Sequence, residues 1–93
     1  MEAKTAHTGQ AGTLESMDCL VVIEASDTDR IIEITGPAAS RFRVPMEQKI
    51  NEALDELGAS EPVRVNVQDN GALDIVLGAR VEAAYNRYRG CAK

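Results

Sequence analysis

The apolar residues of this chain change period once in mid-sequence, and that change constrains the fold more than any other feature. Met46, Ile50, Ala53, Leu54 and Leu57 fall at i, i+4, i+7, i+8 and i+11, which places them on one stripe of an α-helix. Pro45 suits the first position of that helix, where no intrahelical N–H bond is lost. Gly58 suits the position just past its end, where a left-handed backbone carries no Cβ penalty. Glu47, Glu52, Asp55 and Glu56 take the solvent side. Soon afterwards Val63, Val65 and Val67 alternate with Arg64 and Asn66, the pattern of a half-buried strand. A chain with both periods packs helix faces against a sheet.

The remaining segments fill in this scheme. Cys19 to Ala25 and Arg30 to Thr35 are rich in β-branched and apolar residues and read as strands. Ser26-Asp27-Thr28-Asp29 lies between them with side chains that bond nearby backbone, so the two strands are expected to form a hairpin, closed by Gly36-Pro37. Asp69-Asn70-Gly71 predicts a second tight turn, with Ala72 to Ile75 returning as a short strand. Leu77, Val81, Ala84, Tyr85 and Tyr88 form a second helical stripe that Gly90 ends. The expected fold is α+β, a small ββαββα domain whose antiparallel sheet carries two helices packed on one face. Residues 1–12 hold two glycines and little apolar content. They read as a flexible N-terminal leader ahead of a domain spanning 13–90, and their removal is expected to affect function more than folding.

Composition excludes several classes of function. Ninety-three residues suit one domain. Fifteen acidic against ten basic residues give a net charge of −5, which repels a phosphate backbone and anionic membranes and favours basic protein partners. Phe42, Tyr85 and Tyr88 are the only aromatics, too few for a base-stacking platform. No apolar stretch approaches the roughly 18–20 residues needed to span a bilayer. The opening MEAKTAHTGQ lacks a cationic start and an apolar core segment. A soluble, cytoplasmic chain with reduced thiols is expected, with Cys19 a small core residue and Cys91 an exposed tail thiol.

Catalytic constellations are equally scarce. His7 stands alone in the leader, and a structural zinc site wants about four nitrogen or sulfur ligands, so no metal is expected. A Ser-His-Asp or Cys-His arrangement would have to recruit the same histidine. Gly9, Gly12, Gly36, Gly58 and Gly71 are isolated from one another, which leaves no phosphate-cradling loop. Arg80, Arg87 and Arg89 read as cations that complement the end of the last helix. No catalytic residue is assigned.

The stretch AGTLESMD at residues 11–18 is too polar for a core. Ser16, between Glu15 and Met17 and close to Asp18, has two readings. It begins or caps a turn, or it is an accessible hydroxyl that an enzyme can esterify with phosphate so that it carries a tethered group. The residues themselves leave both open.

AGTLESMDCLVVI resembles the N-terminal motif of the acyl carrier (gamma) subunit of bacterial citrate lyase, in which glycine-threonine-leucine-glutamate-serine is followed by one variable residue, aspartate and an apolar strand. VRVNVQDNGALDIVLGARVEAA resembles the same family's valine-rich strand, GALD turn and alanine-rich basic helix. The two blocks agree in order and separation, and residues 25–60 agree in pattern.

The resemblance implies a non-catalytic carrier with 2'-(5''-phosphoribosyl)-3'-dephospho-CoA covalently attached to Ser16 through a phosphodiester. The arm's thiol would bear acetyl or citryl as a thioester. The implied partners are a prosthetic-group transferase and the alpha (acyl transferase) and beta (acyl lyase) subunits of a complex that cleaves citrate to acetate and oxaloacetate. Glu15 and Asp18 become candidate partner-recognition charges. Met17 falls where the family commonly has small or polar residues. Carriers of citramalate lyase are similar, and that of malonate decarboxylase uses a serine in a glycine-serine-glycine-aspartate context. An unmodified small adaptor is the reading from a different class.

Overall fold

The computed structural model describes residues 8–90. Its elements run β1 (Thr8–Gly12), β2 (Asp18–Ala25), β3 (Ile31–Thr35), α1 (Ala39–Glu56), β4 (Val63–Asn70) and α2 (Asp74–Tyr88). The four strands form one mixed sheet in the order β1-β2-β4-β3. Strand β2 pairs antiparallel with both β1 and β4, and β3 lies parallel to β4.

The α+β class is the one expected from the two apolar periods. Val63, Val65 and Val67 of β4 and Cys19, Val21 and Ile23 of β2 are all fully buried, and they meet in register as Val21 opposite Val67 and Ile23 opposite Val65. Met46, Ile50 and Leu54 of α1 and Leu77, Val81, Ala84 and Tyr85 of α2 complete the same core. Burying such a side chain is worth about 1.5–3 kcal/mol, so these few residues dominate the stability of the domain. Of the alternate positions of β2 and β4, Leu20, Val22, Arg64 and Asn66 are half-buried, whereas Glu24 and Gln68 are exposed.

Strand order departs from the expected ββαββα. Cys19–Ala25 and Arg30–Thr35 do not form a hairpin: β4 lies between β2 and β3. Helix α1 explains the difference, because a crossover helix permits the parallel pairing of β3 with β4 that no short turn could make. Ala72 to Ile75 is not a strand either. Asp69 accepts the N–H groups of Gly71 and Ala72 at 3.1 and 3.0 Å, turning the chain directly into α2 at Asp74.

A further correction concerns the leader. Residues 1–7 lie outside the described residues, but Thr8–Gly12 form β1 along β2, with Thr8 opposite Glu24 and Gly12 opposite Leu20. This strand has no large apolar side chain because α2 leaves no room for one. A Cβ added at Gly9 would overlap the backbone of Ala84 and Tyr88. Arg87 of α2 also donates to the Gln10 carbonyl at 2.8 Å. Removing residues 1–12 would therefore strip β2 of a partner and uncover α2, a cost to folding as well as to function.

Pro45 is not the first residue of α1. The helix starts at Ala39, and Phe42 breaks it with φ −121° and ψ 20°. A proline inside a helix has no N–H for the preceding turn and crowds the carbonyl four residues back, which accounts for a kink next to Arg41. The far end is as expected. Gly58 has φ +73°, its N–H reaches the Asp55 carbonyl at 3.0 Å and the Ala59 N–H reaches that of Leu54 at 3.0 Å, the paired closure of a Schellman motif.

Topology places three connections together. Because β3 and β4 run parallel, the β3–α1 and β4–α2 connections leave the sheet at the same end. Asp18, the first residue of β2, pairs with Asn70, the last of β4, so the β1–β2 loop lies there too. Ser16 belongs to that loop.

Candidate functional site

Residues 13–17 connect β1 to β2 as a hydrogen-bonded loop. The Asp18 N–H donates to the Glu15 carbonyl at 3.1 Å, closing a four-residue turn with Ser16 in its second position and Met17 in its third. Met17 has φ +67°, the only positive φ outside glycine among the described residues. A left-handed third position is characteristic of turns that favour glycine or asparagine there. Ser16 is exposed at the corner. Among the described residues its hydroxyl makes no hydrogen bond, so it caps nothing.

Asp18 anchors the loop from below. Its Oδ2 accepts the Thr13 hydroxyl at 2.8 Å and Arg80 Nη2 at 2.8 Å. Its Oδ1 accepts its neighbour's N–H, that of Cys19, at 2.7 Å and Arg80 Nε at 3.0 Å. Four donors fill the lone-pair sites of one carboxylate. Arg80, then Thr13, then the Cys19 N–H hold the Asp18 carboxyl well below the usual carboxylate range. The Thr13 oxygen in turn accepts the Glu15 N–H at 3.1 Å.

Asn70 grips the other side of the loop. Its carbonyl accepts the Met17 N–H at 2.7 Å, and its side-chain Nδ2 donates to the Leu14 carbonyl at 2.9 Å. The backbone is thus pinned on both flanks of Ser16 by residues at the end of β4 and within α2.

The site residues taken from sequence separate into two groups. Ser16 and Glu15 are exposed, whereas the Asp18 carboxylate is engaged within the chain and only 13% exposed. Arg80 is not a terminal cation, since it sits in the middle of α2; Arg87 is the basic residue of the last turn. Thr13 and Asn70, which sequence reasoning passed over, and Arg80, which it read as a helix-end cation, are the residues that hold this loop. Thr13 and Asp18 share one short motif, but nothing local connects Arg80 to a carboxylate 62 positions away.

Cys19 is fully buried, and its thiol is pushed up to about 11 by that burial and by the nearby carboxylates of Asp18 and Asp69. His7 and Cys91 lie outside the described residues. Among the described residues, no group of three or more histidine, cysteine or acidic side chains is placed to hold a metal. None of their helices is long and apolar enough to cross a membrane.

Comparison with known proteins identifies the family. The chain is 39% identical over 77 residues to the citrate lyase acyl carrier protein of Pectobacterium atrosepticum, covering 83% of this chain and 79% of that one. The same protein of Haemophilus influenzae is 44% identical over 77 residues, with the same coverage. This chain belongs to the citrate lyase acyl carrier protein family. The family model described as malonate decarboxylase delta subunit (MdcD) matches residues 6–88. The loop with Ser16, Asp18, Asn70 and Arg80 therefore lies within the acyl carrier region. A chain in the crystal structure of a Pseudomonas malonate decarboxylase hetero-tetramer in complex with malonate shares the fold. Its TM-score is 0.66 at 21% identity, over 88% of this chain and 84% of that one.

Proposed function

We propose that this chain is the carrier subunit of a citrate-lyase-type complex, with Ser16 as the attachment point of a phosphoribosyl dephospho-CoA arm. The observation that carries the reading is the Ser16 hydroxyl: exposed, unbonded within the described residues, and set at the corner of a turn whose backbone is pinned on both sides. Those features fit a phosphodiester link, which needs an oxygen that an attaching enzyme can reach and a backbone that stays in place once a large group hangs from it. When bound, such an arm supplies a terminal thiol able to hold an acyl group as a thioester.

The protein's own part is positional. It fixes one end of the arm, and tethering keeps the acyl group at high effective concentration near the partners. Partners fitting this role are an alpha acyl transferase subunit, a beta acyl lyase subunit and the transferase that installs the arm. Glu15, exposed beside Ser16, is the candidate recognition charge. Among the described residues, Leu14, Met17, Phe42, Val44, Leu73 and Ile75 are the exposed large apolar ones. All come from the β1–β2 loop, the first turns of α1 and the β4–α2 connection with the start of α2, the end of the molecule that a docking subunit must approach to receive an arm from Ser16.

A malonate decarboxylase carrier is the second reading, favoured by the family model over residues 6–88. Co-expression with the attaching enzyme tests the first. The intact mass of the wild type should rise by one arm, and Ser16→Ala should remain unshifted. A shift that persists in Ser16→Ala would remove Ser16 from this role. Reconstitution of citrate cleavage with lyase subunits, against malonate decarboxylation with that enzyme's subunits, separates the two readings.

A further inference from the structure

We propose that Arg80 and Asn70 are positioning residues for the loading of Ser16: they hold the Glu15–Asp18 turn in the conformation that the attaching enzyme receives. This rests on the reading of Ser16 as the attachment point. Neither residue touches Ser16, and both act through its neighbours. Arg80 grips Asp18 with two donors, at 3.0 and 2.8 Å. The Asn70 side-chain Nδ2 donates to the Leu14 carbonyl at 2.9 Å, the bond that Asn70→Ala removes, beside the backbone carbonyl of Asn70, which accepts the Met17 N–H at 2.7 Å.

The turn needs such an outside hold. Met17 carries a positive φ without being glycine, a backbone state costing an L-residue on the order of 1–2 kcal/mol and retained where surrounding contacts determine it. The loop is exposed from Thr13 to Met17, so no buried side chain supplies the constraint. Hydrogen bonds from β4 and α2 supply it instead.

In the loading reaction the Ser16 Oγ–P bond forms as a phosphoanhydride bond of the activated phosphoribosyl dephospho-CoA donor breaks. The hydroxyl proton passes to a base of the attaching enzyme, and the anhydride's phosphate portion leaves. An in-line displacement of this kind depends on where the oxygen sits, and a misplacement of about 1 Å can cost 10²-fold in rate. A fixed turn presents the oxygen at one place. A loosened turn presents it at many.

The test follows loading by intact mass over time, using the full chain, the purified attaching enzyme and the activated donor. Amide exchange of Glu15, Ser16 and Met17 is read in parallel, with Val65 and Val67 as core references. Arg80→Gln and Asn70→Ala should each lower kcat/KM for the carrier by about tenfold or more and speed loop exchange, with core exchange unchanged. Arg80→Lys, which keeps the charge but loses the two-donor fork, should fall between. Arg64→Gln, at the salt bridges to Glu24 and Glu33, should load like the wild type.

Fast loop exchange with wild-type loading would overturn the proposal, as would an equal loss in Arg64→Gln. If Arg80→Gln unfolds, Asn70→Ala decides alone by the same criteria. A wild type that never loads overturns the carrier reading and this proposal together, whereas variants that load as well as a loaded wild type overturn only this proposal.

Discussion

Arg80 and Asp18 form a two-pronged ion pair across 62 positions of sequence, with Nε and Nη2 at 3.0 and 2.8 Å from the two carboxylate oxygens. The pair joins the middle of α2 to the first residue of β2 and fixes the loop that carries Ser16. Asp18 is held below the ordinary carboxylate range, first by Arg80 and then by Thr13 and the Cys19 N–H. A depressed folded value means that the stabilisation is complete above the unfolded value near pH 3.9 and is lost only as pH falls further. The side-chain carboxyl resonance of Asp18 should therefore stay flat from pH 7 to about 4. In Arg80→Gln the acid transition should move up toward the ordinary aspartate range. An unmoved transition would separate Arg80 from the Asp18 equilibrium.

Met17 is predicted to be a locally unfavourable residue. Glycine relieves its left-handed backbone by about 1–2 kcal/mol but returns about 0.5–1 kcal/mol through its freedom in the unfolded chain. Met17→Gly should therefore be neutral to about 1.5 kcal/mol more stable, and Met17→Val, branched at Cβ, should be less stable. Urea midpoints at constant m-value check the pair. The reverse order would contradict a positive φ at this position.

Gly9 should tolerate no side chain. A Cβ there meets the backbone of Ala84 and Tyr88, which a rotamer change cannot clear, so Gly9→Val should cost more than about 2 kcal/mol. Gln10→Val, at the neighbouring exposed position, should stay within about 0.5 kcal/mol. Denaturant unfolding of both variants measures the contrast, and similar small effects would show that α2 does not press on β1.

These residues also show what could be read in advance. The stripes of α1 and α2 and the alternation of β4 were legible because their inward positions carry Leu, Ile, Met and Val. Strand β1 was not, since its inward residues are Gly9 and Ala11, chosen for closeness to α2 and silent in any hydrophobic pattern. The pairing of β3 was equally hidden, because a strand's own residues do not reveal that a later strand will be inserted beside it. At the site, Ser16 and its motif were visible locally. The hold on it was not, because Asn70 and Arg80 reach the loop only after the chain has folded.

Cys19 should be inert in the native state. Its side chain is buried and its thiol is pushed up to about 11, so little thiolate forms at pH 8. In a Cys91→Ser background, labelling by a disulfide reagent should proceed only as fast as the domain opens, and should become rapid in denaturant. Immediate labelling without denaturant would contradict the burial of β2 against α2.

Peptide mapping of the loaded chain tests the central claim most directly. Cleavage after Lys4 and Arg30 releases one peptide that contains Thr5, Thr8, Thr13, Ser16, Ser26 and Thr28 together. The fragment series should place the phosphodiester-linked arm on Ser16 alone. An arm on any of the other five hydroxyls, or a loaded protein whose peptide carries none, would contradict the assignment of Ser16 as the tether.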